Sequence, residues 1–211
     1  MILAFDCATA LGSVALVRTT DDREVVREMS FPAPRGRGGA LFSVLEEMLA
    51  EANGLSRVVA GTGPGSYNGI RAALATAWGI AMARGIPLTG ISSLLGVAEG
   101  NYLAVGDARR GQFYFARVRE GSFMEEPSLY SEAEILQKIS QGVSAGVGSP
   151  DFEGEWPIFV PEPIEFLPQA LTRGPLAARL ARRVSLLSEG TDLPEPLYLK
   201  PAHITRPSGG K

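Results

Sequence analysis

Twice in this chain an apolar run ends on an aspartate, turns tightly and comes back as a second apolar run. Ile2-Leu3-Ala4-Phe5 stops at Asp6 and returns as Ser13-Val14-Ala15-Leu16-Val17, and Leu103-Ala104-Val105 stops at Asp107 and returns from Gln112 to Val118. Each pair reads as two strands joined by a short loop, an antiparallel hairpin. At 211 residues the chain has material for one large domain or for two small lobes. Recurrence of the hairpin halfway along selects two lobes, 1–101 and 102–211, in an α/β arrangement of mixed sheets with helices beside them.

The stretches between the hairpins fill in that plan. Asp21-Asp22 marks a turn and Glu24 to Met29 a third strand. Leu41, Val44, Leu45, Met48, Leu49 and Ala52 recur at helical spacing until Gly54 ends the pattern. Val58-Val59-Ala60 is a short buried-type strand, the loop Gly61 to Ser66 leads into a second helix that reaches roughly Arg84, and Leu88 to Ile91 is another strand. Ser92 or Ser93 then caps a short helix through Glu99, since a serine hydroxyl accepts from an otherwise orphaned backbone N–H. In the second half, Ser131 followed by Glu134 announces a helix to Ser140 through reciprocal capping. Val143 to Val147 reads as a strand, the proline-dense Pro157 to Pro168 as non-helical, and Leu171 to Leu187 as a helix with Leu176, Leu180, Val184 and Leu187 on one stripe. The tail after Pro194 is expected to be irregular.

Composition excludes several functions. Lys and Arg number 20 against 23 Asp and Glu, giving a net charge of −3 spread over both halves, so contact with RNA has to be local or shared with a partner. The longest uncharged apolar stretch, Ala72 to Ala83, is too short for a bilayer crossing of ~20 residues. The first residues meet Asp6 at once and have no basic leader, which makes the cytoplasm the expected location. Cys7 is the single cysteine and His203 the single histidine, so neither a disulfide, a zinc site nor a Ser-His-Asp triad can be assembled. No catalytic residue and no bound metal are expected.

Four groups of residues carry whatever chemistry remains. Asp6, Thr9, Gly12 and Ser13 lie in the first hairpin turn, where backbone N–H groups and two hydroxyls form either a weak anion site or a polar loop that satisfies only itself. Gly63, Pro64, Gly65, Ser66, Gly69 and Arg71 join a strand to a helix start, a place that welcomes phosphate or carboxylate. This loop has neither the lysine of a Walker loop nor the spacing of a dinucleotide fingerprint, and its glycines serve equally to permit a close helix-to-sheet approach. The helix that follows has Ile70, Leu74, Ala77, Trp78 and Ala81 on one side and the small residues Ala72, Ala75, Thr76, Gly79 and Ala83 on another. An all-round apolar helix is either deep in its own domain or shares its second stripe with a partner. Asp107 and Arg109 repeat the strand-ending acid in the second lobe, in a turn that is either a solvated hairpin or a contact for phosphate.

Ile2 to Thr9, Gly63 to Arg71, Asp107-Ala108-Arg109 with Tyr114, and Pro196 to Lys200 together resemble the TsaB (YeaZ) family in order and spacing. The resemblance implies the actin-like fold shared with sugar kinases and Hsp70, and a part in forming N6-threonylcarbamoyladenosine in tRNA. It implies a catalytically silent scaffold for a TsaD-like transferase subunit, whose metal-binding His-x-x-x-His motif cannot exist in a chain with one histidine. A TsaE-like ATPase is the further expected partner, with tRNA reached only through the complex and a homodimer formed when the chain is alone. No tightly bound cofactor is expected, only weak nucleotide binding at Thr9 to Ser13. The expected partner contact is a helix bundle of Leu41, Leu45 and Met48 from the first helix with Ala72, Ala75, Thr76, Gly79 and Ala83 from the second. Two alternatives stay open. An ATP-dependent transferase or kinase of the same fold would need a catalytic acid, for which Asp107 is the only candidate, and a second phosphate loop, to which Gly142 to Gly148 are the nearest attempt without forming a glycine-rich loop. A stand-alone small-molecule binding module would need neither.

Overall fold

Strand β1 (Ile2–Asp6) is buried on both faces and lies in the middle of a five-stranded sheet. On one side it pairs antiparallel with β2 (Leu11–Val17), which pairs antiparallel with β3 (Val25–Pro32). On the other side it pairs parallel with β4 (Arg57–Gly61), which pairs parallel with β5 (Leu88–Ile91). Strands β6 (Tyr102–Asp107), β7 (Phe113–Arg119), β8 (Ser122–Tyr130), β9 (Ile158–Val160) and β10 (Leu171–Thr172) build a second sheet in the order β8-β7-β6-β9-β10. That is the first sheet's order, β3-β2-β1-β4-β5, repeated strand for strand with the same parallel and antiparallel pairings. The chain therefore forms two actin-like α/β lobes with mixed sheets. This computed structural model describes residues 1–20, 22–33, 39–145, 156–184 and 194–199, excepting the side chains of 141–145.

Alternation along β1 sorts its side chains into two cores, because successive residues of a strand point to opposite faces. Leu3 and Phe5 join Leu41, Leu45, Met48, Ile70 and Ala77 beneath helices α1 (Gly39–Glu51) and α2 (Tyr67–Arg84). Ile2 and Ala4 face the other way, into a cluster that also holds Tyr102, Ala104 and Ala116 of the second sheet. The lobes are thus joined through a common apolar core. Helix α3 (Glu132–Ala145) covers the outer face of the second sheet through Ile135, and the Ser131–Glu134 capping box forms as the sequence predicts, with Ser131 N–H donating to Glu134 Oε2 at 2.7 Å.

The helix predicted over 171–187 is shorter and begins later. Leu171 and Thr172 instead pair parallel with β9, and α4 spans Ala177–Arg183. Gly174 and Pro175 separate the two, since proline's missing donor and its steric demand on the preceding residue stop a helix from running through. Leu187 lies outside the described residues. Ala177, Leu180 and Ala181 fill the core between the sheets, and Ala178 N–H donates to Glu28 Oε1 of β3 at 2.9 Å. This helix follows the second sheet in sequence yet rests on the first, so the 101/102 division separates the two sheets without describing where α4 packs.

Other local expectations differ as well. Val143 to Ala145 continue α3 instead of starting a strand, with residues 146 and 147 outside the described residues. The capped helix expected through Glu99 is a single 3₁₀ turn, Ser93–Gly96, and neither serine caps it: Ser92 Oγ donates to Gly63 O, and Ser93 Oγ donates to Asp6. Among the described residues, no helix is long and apolar enough to cross a membrane.

Candidate inter-lobe groove and helix face

Asp6 ends β1 with its carboxylate wholly buried. Its Oδ1 accepts the Ala8 N–H at 2.8 Å, an Asx turn, and its Oδ2 accepts the Ser93 hydroxyl. Ser93 Oγ in turn accepts the Gly63 N–H at 2.9 Å, so one polar chain ties β1, the 3₁₀ turn and the glycine-rich loop together. Burial pushes the Asp6 carboxyl up from 3.8 to about 6, against the opposing pull of the Ser93 and Ala8 hydrogen bonds. Neighbouring Cys7 is pushed up to about 12 by burial and then by the Asp6 charge, so its thiol stays protonated.

The hydroxyls of this turn are engaged within the chain. Thr9 Oγ1 donates to Leu11 O at 2.8 Å and accepts the Leu11 N–H at 3.3 Å. Ser13 Oγ donates to Pro175 O at 3.3 Å and accepts the Ala177 N–H at 2.9 Å, satisfying the start of α4. Gly12 is glycine because any side chain would run into the Phe31 ring.

In the second loop, glycine permits close approach. A methyl at Gly65 would overlap the Ala8 carbonyl, and one at Gly69 the Cys7 carbonyl, so α2 starts directly on the β1–β2 turn. Ser66 Oγ caps that start by accepting the Gly69 N–H at 3.3 Å, and the Gly63–Pro64 peptide is cis. Arg71 donates to the Tyr67 hydroxyl at 2.9 Å, and Tyr198 of the tail stacks on Tyr67 at 4.9 Å.

Asp107 makes the second Asx turn, its Oδ1 accepting the Arg109 N–H at 2.6 Å and its Oδ2 the Arg109 guanidinium at 2.8 Å. The two hairpin turns and the start of α2 enclose an open groove of about 400 Å³. Thr9, Tyr67 and Asn68 line it from the first lobe, and Asp107, Tyr114 and Glu162 from the second. Tyr114 is 5% exposed, and its ring lies over Gly106, where any side chain would overlap the phenol. Sequence reasoning noted Tyr114 only through the family resemblance and missed Gly106 and Glu162. Cross-strand pairing of Gly106 with Tyr114 was the readable signal, whereas nothing local marks Glu162. Among the described residues, no three His, Cys, Asp or Glu side chains gather as a metal-ligand set.

A separate surface lies on α2. Ile70, Ala73, Leu74, Ala77 and Ala81 face the sheet, while Ala75, Gly79 and Ala83 are exposed and Ala72 and Thr76 half-buried. The small stripe therefore points outward. Two corrections accompany it. Trp78, grouped by spacing with Ile70, Leu74, Ala77 and Ala81, parts from them: it is 47% exposed and stands beside Gly79 and Met82 on the outer face. Leu41, Leu45 and Met48, expected at a partner contact, are buried in the lobe's own core at 3%, 3% and 0% exposure, because α1 spends its apolar stripe on covering β2 and β3. The outward apolar residue of α1 is Phe42.

Comparison with known proteins adds a family to this geometry. The family model of TsaD, described as tRNA N6-adenosine threonylcarbamoyltransferase, matches residues 39–142. An uncharacterized Mycobacterium leprae protein is 32% identical over 186 residues, 81% of this chain and 49% of its own, so the chain spans about half the length of that relative. Escherichia coli tRNA threonylcarbamoyladenosine biosynthesis protein TsaB is 27% identical over 223 residues, covering 94% of both chains. A Pseudomonas aeruginosa crystal structure described as similar to peptidase YeaZ superposes with a TM-score of 0.69 at 21% identity, over 94% of this chain and 99% of that one.

Proposed function

Since the chain belongs to the TsaB (YeaZ) family, we propose that it serves in forming N6-threonylcarbamoyladenosine in tRNA, as a scaffold subunit for a TsaD-like transferase. The match to the E. coli protein over 94% of both chains is the observation that carries this reading. The chain's own chemistry agrees with a supporting role. Both hydroxyls of the first turn satisfy the chain's own backbone, and the one buried carboxylate beside them is held by Ser93 and Ala8. We place the partner on the outward face of α2. Side chains of one carbon or none at Ala75, Gly79 and Ala83 let a facing helix approach to the ~8 Å lower limit of ordinary packing. Trp78 and Met82 beside them supply exposed apolar surface worth ~1.5–3 kcal/mol per side chain when buried. Without the partner, the same face closes a homodimer. A TsaE-like ATPase joins the complex, tRNA is reached through it, and any nucleotide held by this chain alone is held weakly.

Depletion of the chain in its own cells, followed by mass spectrometry of digested tRNA, tests the assignment. Loss of threonylcarbamoyladenosine, restored by a plasmid copy of the chain, is the expected result. An unchanged level in depleted cells that hold no second copy overturns it.

A further inference from the structure

Helix α4 stands on the first sheet but reaches into the second. Its start is bonded to β2 and β3, through the Ala177 N–H on Ser13 Oγ and the Ala178 N–H on Glu28 Oε1. Farther along it, two arginines extend over residues 96–99, by which the chain passes from the first sheet to the second. Arg179 Nη1 donates to Val97 O at 2.7 Å and to Gly96 O at 3.4 Å, and Arg183 Nη2 donates to Ala98 O at 3.4 Å and to Glu99 Oε2 at 3.0 Å. Three successive carbonyls are thus held by two side chains of one helix. The return passage is tied in as well, since the Leu176 N–H just before α4 donates to Gly96 O at 3.0 Å. Arg183 also touches the second sheet, because its guanidinium lies where a side chain at Gly121 of the β7–β8 turn would stand.

Packing alone does not explain an arginine here. Arg183 is buried, and its Nε has no hydrogen-bond partner among the described residues. Methionine or leucine would fill such a place without desolvating a charge. What a guanidinium adds is direction. Apolar contact between the lobes resists their separation but is non-directional, whereas a planar fork of donors fixes where its acceptors lie. Rotation of one lobe against the other has to change the backbone angles of the crossing segment, where Gly100 already lies at a φ of +70°. We propose that Arg179 and Arg183, with Glu99, form a clamp that sets the angle between the two lobes, so that the groove between the hairpin turns keeps one width. The proposal concerns the chain alone and does not rest on its role in tRNA modification.

Double electron-electron resonance between nitroxides at Glu46→Cys on α1 and Gln137→Cys on α3 reads that angle as a distance between the lobes. Both positions are exposed, the native Cys7 thiol is buried and escapes labelling, and dilution with unlabelled chain removes distances between copies. The labelled parent chain should give a single narrow distribution, and adding Arg179→Gln with Arg183→Gln should about double its width or add a second distance. A broad or two-peaked distribution in the parent chain overturns the proposal. So does an unchanged width in the folded double variant, which would leave the apolar core to set the angle. Should the double variant unfold, Glu99→Gln carries the test, since this carboxylate is 58% exposed and its loss leaves every backbone bond of the segment in place. Freed from its ion pair, the Arg183 guanidinium should hold the segment less well, and amide hydrogens of residues 98–101 should exchange about threefold faster at an unchanged Tm. Exchange at the parent rate overturns the proposal.

Discussion

Asp6 and Asp107 end equivalent strands, accept the N–H two residues on in the same Asx turn, and have opposite surroundings. Asp6 is sealed beneath Gly61 and Ser93, whereas Asp107 looks onto the groove and pairs with Arg109. Local sequence sets the turn in both lobes. What packs over it decides whether the carboxylate is a structural linchpin or a surface charge. In the first lobe Gly61 and the 3₁₀ turn, through Ser93, close the site, and in the second nothing equivalent among the described residues covers Asp107.

The comparison breaks most easily at Gly61. A methyl there would overlap Asp6 Oδ2 and come within 2.8 Å of Ser93 Oγ, so Gly61→Ala combines overpacking with loss of a buried hydrogen bond. We expect a loss above ~3 kcal/mol in urea unfolding. The same substitution at Gly111, which has open space but a φ of +68°, should cost only ~1 kcal/mol.

Next is pH. Raised to about 6 in the folded chain from an ordinary 3.8, Asp6 favours the fold most when protonated. Its contribution is complete below pH 3.8 and is lost as pH rises through about 6, a fall of about 3 kcal/mol in unfolding free energy. The difference between wild type and Asp6→Asn across pH 4 to 7 isolates it from carboxylates such as Glu125 and Glu134, whose partners Lys138 and Ser131 lower them and give the opposite slope. A pH-independent difference would show that Asp6 is solvated after all.

Ser13→Ala should be smaller, ~1–2 kcal/mol, since it leaves the buried Ala177 N–H at the start of α4 without its acceptor. Asp107→Ala should be smallest, within about 1 kcal/mol, because its ion pair with Arg109 is exposed. A large effect at Asp107 would make the two turns alike and remove the contrast.

The paired hairpins, α1, the start and end of α2 and the Ser131 cap were legible in the sequence because each rests on local periodicity or a local hydrogen bond. The phase of α2 was not. A helix apolar on every side offers no polar face to orient it, so Trp78 could not be told from Leu74 by spacing. Reading Leu176 to Leu187 as a stripe gave weight to leucines and too little to Pro175, and the result was a helix begun several residues early. Ser13 and Ser93 spend their hydroxyls on residues far along the chain, and no local pattern announces such pairings. The groove is hidden for the same reason, as Tyr114, Glu162 and Thr9 meet only once both lobes are built.

The central proposal is that the chain meets a TsaD-like subunit through the outward face of α2. Ala75→Arg places a charge on that face without touching the buried row of Ile70, Leu74 and Ala77. Sedimentation of the purified chain with a TsaD-like subunit, alongside its Tm, measures the consequence directly. Wild type should co-sediment with the partner, and the variant should keep its Tm yet sediment alone. A folded Ala75→Arg chain that still pairs with the partner would contradict the account.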